Sequence, residues 1–131
     1  MSHFLEHMLF KGTAKRGVGQ VTKDIDEAGG SVNAYTTYDR TVYHCQLPSK
    51  NWRVGLDVLS DCVMNASLPP DEWKREQDVI VREMAMRADD PNSALHQLMF
   101  ATAFREYPYR HPVIGYEDVF RTMSRDDLGN Y

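Results

Sequence analysis

The sequence predicts an α+β fold, with helices packed on one face of a mainly antiparallel sheet. Three observations carry that prediction. Apolar residues recur at helical spacing in the segments 2–10, 20–28, 50–66, 71–88 and 92–105. Two runs rich in β-branched and aromatic residues, 31–37 and 41–47, stand next to each other with only Tyr38-Asp39-Arg40 between them. Breakers fall between these segments: Gly29-Gly30, Pro48, Pro69-Pro70 and Pro91. A chain of 131 residues with 42% hydrophobic and 26% charged residues fits one ordinary globular domain.

Taken in order, the first helix holds Phe4, Leu5, Met8, Leu9 and Phe10, so it is expected to be buried on most sides. Lys11-Gly12-Thr13 ends its pattern, and residues 14–19 read as a loop. Val21, Ile25 and Ala28 give a second helix capped by Gly29-Gly30. The two β-rich runs pair as an antiparallel hairpin, stopped by Pro48. Residues 50–66 carry a broad apolar face built from Trp52, Val54, Leu56, Val58, Leu59, Cys62, Val63 and Met64. Residues 71–88 form a charged amphipathic helix with Trp73, Val79, Ile80 and Met84, and a further helix spans 92–105. Ser124-Arg125-Asp126-Asp127 reads as a capping box opening a last helix at the end of the chain.

Composition narrows the function. A net charge of −4 and a pI near 5.7, with no basic stripe, exclude nucleic acid as the main partner. No apolar run reaches the roughly 18 residues of a membrane span. No signal-peptide pattern opens the chain, because His3, Glu6 and His7 interrupt its apolar start. Cys45 and Cys62 form neither a disulfide framework nor a Cys-x-x-Cys pair. The reading favours a soluble, cytoplasmic protein, with any targeting segment lying upstream of residue 1.

The chemistry concentrates in Ser2-His3-Phe4-Leu5-Glu6-His7. Histidines four apart lie above one another on a helix, close enough for both imidazoles to reach one metal ion. Glu6 follows His3 by three and shares that face, so its carboxylate can stand beside the ion without ligating it. This is the inverted zinc-peptidase motif His-x-x-Glu-His. Alone it is short, and a histidine on an apolar helix face is more often a hydrogen-bonded core residue. Glu76 and Glu83, two turns apart on the fourth helical segment, face the same way. The plain reading of that segment is a solvated charged face, since Lys74, Arg75, Asp78, Arg82 and Arg87 share it.

Longer runs resolve the choice. His-Phe-Leu-Glu-His-Met-Leu-Phe-Lys-Gly-Thr at 3–13, Gly-Gly-Ser-Val-Asn-Ala-Tyr-Thr-Thr at 29–37 and Asp-Arg-Thr-Val-Tyr at 39–43 are followed by Lys-Arg-Glu-Gln-Asp-Val-Ile-Val-Arg-Glu-Met at 74–84. Asp-Asp-Pro at 89–91 and Pro-Val-Ile-Gly at 112–115 complete the series. In this order and spacing the chain resembles the pitrilysin and insulin-degrading-enzyme family of zinc peptidases, nearest to its mitochondrial and bacterial processing-peptidase branch. The resemblance implies one zinc ion per chain, with His3, His7 and Glu83 as ligands and a fourth position open for water. It implies that Glu6 is the general base activating that water, and that Glu76 orients the site from behind the ligands. Asn33, Ala34 and Tyr35 match the family's substrate-binding edge strand, where an extended peptide adds to the sheet through backbone hydrogen bonds. The implied substrates are peptides, unfolded proteins or presequence-like segments.

The resemblance also sets expectations about completeness. Active members of the family carry strands before the motif, a longer C-terminal continuation and a second half-domain of like fold that closes over the peptide as a clamshell. Residues 1–131 therefore read as a single, incomplete catalytic half-domain, with exposed sheet edges and a second half-domain or subunit as partner. Two other readings stand beside the zinc endopeptidase: a non-catalytic scaffold subunit of the same fold, and a piece that at most binds zinc.

Overall fold

In the computed structural model, which describes residues 1–131, each element forms where local chemistry favours it. Helix α1 (Ser2–Leu9) buries His3, Phe4, Met8 and Leu9. Gly19, at φ 80°, turns the chain into α2 (Gln20–Glu27), which buries Val21 and Ile25. The hairpin of β1 (Ser31–Thr36) and β2 (Thr41–Gln46) follows, antiparallel in the register Ser31 to Gln46 through Thr36 to Thr41. At its base a Cβ on Gly30 would lie 2.1 Å from the Gln46 carbonyl oxygen, so only glycine fits there.

Helix α3 (Trp52–Asn65) leads through Pro69 into the long α4 (Pro70–Asp89). Pro70 opens α4 with Asp71 and Glu72 in its first turn, and Arg87 closes it, an arrangement that complements the helix dipole at both ends. Asp90 then caps α5 (Pro91–Ala103) by accepting from the Ser93 backbone N–H at 2.8 Å. Two short helices end the chain: α6 (Glu117–Thr122), which the sequence pattern did not reveal, and α7 (Arg125–Gly129), opened by a complete capping box between Ser124 and Asp127.

The core is divided. Phe4, Met8, Trp73, Ile80, Phe120 and Leu128 form one cluster, which clamps α1 onto α4. The Phe4 ring lies 4.3 Å from that of Trp73 and 4.9 Å from that of Phe120, centre to centre. Val21, Ile25, Val58 and Cys62 form the second, joining α2 to α3 beneath the hairpin. Between them the loop 12–18 is fastened by Arg16, whose buried guanidinium donates to Asp24 and Asp61 at 2.9 and 2.6 Å and pairs with Asp57. Thr13 adds a 2.7 Å bond to Asp61.

Helix α3 departs from the expected broad buried face. Val58 and Cys62 meet α2, whereas Trp52, Leu56, Val63 and Met64 are exposed. Helix α2 and the side chains of Cys45 on β2 and Leu47 just after it cover one side of α3, and the rest of its apolar width faces solvent. Helix α5 likewise buries no residue. It is held to the hairpin turn by Tyr38 stacking on Phe100, with rings 4.8 Å apart and 13° from parallel. The sheet contains two strands, so β1 and β2 each present one edge unpaired by this chain.

Candidate metal centre

The centre lies where α1 crosses α4. On α4 the buried stripe runs Trp73, Glu76, Ile80, and Glu83 continues it one turn further. Spacings of three, four and three keep all four residues on one face. The apolar members dock against Phe4 and Met8, and that docking carries both glutamates to the histidines of α1.

His3, His7 and Glu83 meet there, with one donor atom from each lying within 4.8 Å of the others. The Nε2 atoms of both histidines are 3.7 Å from Glu83 Oε2, and their rings are 4.8 Å apart. Donors around a tetrahedral zinc with bonds of roughly 2.0–2.1 Å stand about 3.3 Å apart, so the observed separations fit the ion after small side-chain rotations. Burial pushes the His3 imidazole below its ordinary pKa, against the opposing pull of Glu83. The neutral ring that results is the form a metal requires. Arg87, one turn beyond Glu83, donates to Glu83 Oε1 from Nε at 2.9 Å and lies 2.7 Å from it through Nη2, so Oε2 is the oxygen turned toward the histidines.

Glu76 stands behind His7. Its Oε2 lies 2.9 Å from His7 Nδ1, and its Oε1 lies 2.6 Å from the Lys11 ammonium. The Lys11 and His7 contacts outweigh burial and hold the Glu76 carboxyl below its usual pKa. An ionised carboxylate only accepts, so His7 donates from Nδ1, which in the neutral ring leaves the lone pair on Nε2.

Glu6, half-buried on the same helix, accepts a hydrogen bond at Oε2 from the Thr36 hydroxyl. Thr36 lies 3.0 Å from Thr41 across the hairpin, so Thr41 donates to Thr36 while Thr36 donates to Glu6. The Tyr43 hydroxyl is buried without a partner, and burial, followed by the nearby Glu6 charge, raises its pKa strongly.

Asn33, Ala34 and Tyr35 lie on β1, immediately before Thr36. The Thr37 N–H donates to the Arg40 carbonyl at 2.8 Å, which makes that pair a hydrogen-bonded one. Alternation along the ladder then turns the N–H and C=O of Val32, Ala34 and Thr36 to the open edge. The Asn33 side chain already accepts from the Ala34 N–H at 2.8 Å. Asn33 and Tyr35 project from the exposed face of the strand. Next to this edge lies a groove of about 790 Å³ between the end of β1, Met84 and Arg87 of α4, His96 and Phe100 of α5, and residues 112–117. His44 and His111 are exposed, the latter bonded to Tyr116. Nothing in the sequence signals the contacts of Lys11 and Thr36, whereas the i, i+4 spacing of Glu83 and Arg87 is compatible with theirs.

Comparison with known proteins places this fold among peptidases. A protease from Helicobacter pylori superposes with a TM-score of 0.93 at 29% identity, over 98% of this chain and 32% of that one. A putative M16-like peptidase from Alicyclobacillus acidocaldarius gives 0.84 at 26% identity, over 98% of this chain and 29% of that one. The chain belongs to the Insulinase family (Peptidase family M16), whose profile matches residues 1–117. Among sequence relatives, an uncharacterized zinc protease of Mycobacterium leprae is 35% identical over 99% of this chain and 29% of its own length. A probable mitochondrial-processing peptidase subunit beta of Arabidopsis thaliana is 36% identical over 99% of this chain and 24% of its own length. The chain thus spans less than a third of these relatives. No helix is long and apolar enough to cross a membrane.

Proposed function

We propose that residues 1–131 form a catalytic half-domain of a zinc endopeptidase that cleaves extended peptides or presequence-like segments. The observation that carries the reading is the convergence of His3, His7 and Glu83 within 4.8 Å, with Glu6 one turn along the same helix. In this reading the three residues hold one zinc ion. When bound, zinc acts as a Lewis acid that acidifies water and polarises a carbonyl. Glu6 takes the proton of the attacking water and delivers it to the leaving amine, a role that contributes about 10²–10⁴-fold. Thr36 holds one oxygen of Glu6, leaving the other for that proton. Glu76 fixes the His7 tautomer. The substrate adds as a strand to the open edge of β1, displacing the Asn33 side chain from the Ala34 N–H, and its side chains enter the neighbouring groove. Backbone pairing of this kind tolerates varied sequence, which suits unfolded segments. The small span relative to the relatives supports a further half-domain or subunit of like fold that completes the substrate chamber.

The test is elemental analysis of metal-repleted protein together with cleavage of a quenched fluorescent peptide. One zinc per chain and cleavage are expected, and Glu6→Gln retains the zinc while cleavage falls at least about 10²-fold. A Glu6→Gln variant as fast as the parent refutes the base. Zinc without cleavage, restored by adding a companion half-domain, assigns the reaction to the assembled pair.

A further inference from the structure

We propose that Lys11 is a positioning residue of the metal centre, acting on His7 through Glu76; the inference rests on the zinc reading above. Lys11 follows His7 by four residues, just past the end of α1, where its backbone N–H closes the helix on the Met8 carbonyl at 3.1 Å. Its ammonium reaches Glu76 Oε1 at 2.6 Å, while Glu76 Oε2 meets His7 Nδ1 at 2.9 Å. The Glu76 side chain is 8% exposed and that of Lys11 27%. Both oxygens of one buried carboxylate are thus committed, one to a cation and one to the ring that bears a donor atom.

Two consequences follow from that division. A carboxylate held by a single bond can rotate about its side-chain axis. Anchored at Oε1 by an ammonium, it has one direction left for Oε2, and the His7 ring is set by it. The Lys11 charge also compensates a carboxylate that burial would otherwise leave paired with a neutral imidazole alone. The cations of α4 do not duplicate this contact: Arg75 pairs with Glu72 and Arg87 with Glu83. The groups facing Glu76 are His7 and Lys11, both from the α1 side of the crossing.

A double-mutant cycle on zinc affinity tests the proposal in the full chain, using a chelating dye in competition at fixed pH. Loss of a partner behind a ligating histidine typically costs about 10–100-fold in metal affinity. Glu76→Gln is expected in that range, and Lys11→Met near its lower end, about 10-fold. Lys11→Arg retains most of the parent affinity, because the cation at Oε1 persists. In the Glu76→Gln background Lys11→Met costs little more, since its effect runs through the carboxylate. Lys15→Met, which breaks an exposed ion pair elsewhere, leaves affinity unchanged. Lys11→Met with parent affinity, or a loss that adds fully to that of Glu76→Gln, overturns the role of Lys11 while leaving the zinc site standing. A parent chain that binds no zinc, with all variants alike, overturns both.

Discussion

Replacing Phe4 by alanine probes the joint on which the candidate metal centre depends. Phe4 is 2% exposed and packs its ring against Trp73 of α4 and Phe120 of α6 at 4.3 and 4.9 Å. Truncating a fully buried phenylalanine costs about 3–5 kcal/mol in lost transfer energy and residual cavity. The two ring pairs, at about 0.5–1.5 kcal/mol each, are contained in that figure. A domain of this size holds roughly 5–15 kcal/mol in total, so Phe4→Ala removes a large share. At roughly 3–5 °C per kcal/mol for this chain length, Tm drops by about 9–25 °C. Urea unfolding of metal-free protein, at an unchanged m-value, measures the loss directly. Leu56→Ala is the control: Leu56 is 61% exposed on α3, and its truncation is expected to stay within about 0.5 kcal/mol. A Phe4→Ala loss below about 1 kcal/mol, or one matched by Leu56→Ala, refutes the claim that this cluster clamps α1 to α4.

Two further outcomes are expected. On the proposed zinc reading, Glu83→Ala removes one of three protein donors and leaves the fold intact. Zinc affinity falls by more than the roughly 100-fold upper range for an outer partner, and an unchanged stoichiometry and affinity excludes Glu83 as a ligand. Arg16→Met exposes the acid dependence of the loop clamp. Asp24, Asp57 and Asp61 all sit below the usual carboxylate pKa, held first by Gln20, Lys15 and Thr13 respectively and then by Arg16. Depressed folded values give stability that is fully present above the unfolded pKa of about 3.9 and lost as pH falls below it. The stability gap between parent and Arg16→Met is therefore widest at pH 5–7 and narrows by pH 3; a gap independent of pH contradicts the clamp.

Local chemistry made much of this protein readable. The helical periods, the hairpin, the capping box at Ser124 and the breakers at Pro48, Pro69 and Pro91 depend on residues within a few positions of one another, and the elements fall within a few residues of their expected bounds. The face shared by His3, Glu6 and His7 is a matter of spacing on one helix, as is the face shared by Glu76 and Glu83. Helix α6 escaped notice because six residues carry too little periodicity to register. The exposure of Trp52, Leu56, Val63 and Met64 escaped too, since an apolar face states what is available for burial and not what covers it.

By itself, then, the sequence determined the family, the α+β class and the identity of the chemically able side chains, because those follow from local spacing and residue type. Only the tertiary structure decided what meets what. Glu76 lies 69 residues from His7, and Thr36 lies 30 from Glu6. Their contacts exist because apolar packing of Phe4 and Met8 against Trp73 and Ile80 sets where α1 crosses α4, and because hairpin register sets where the Thr36 hydroxyl points. Lys11 reads in sequence as an ordinary helix-end cation. Its place beside a buried carboxylate comes from that crossing, which no spacing along one helix can encode.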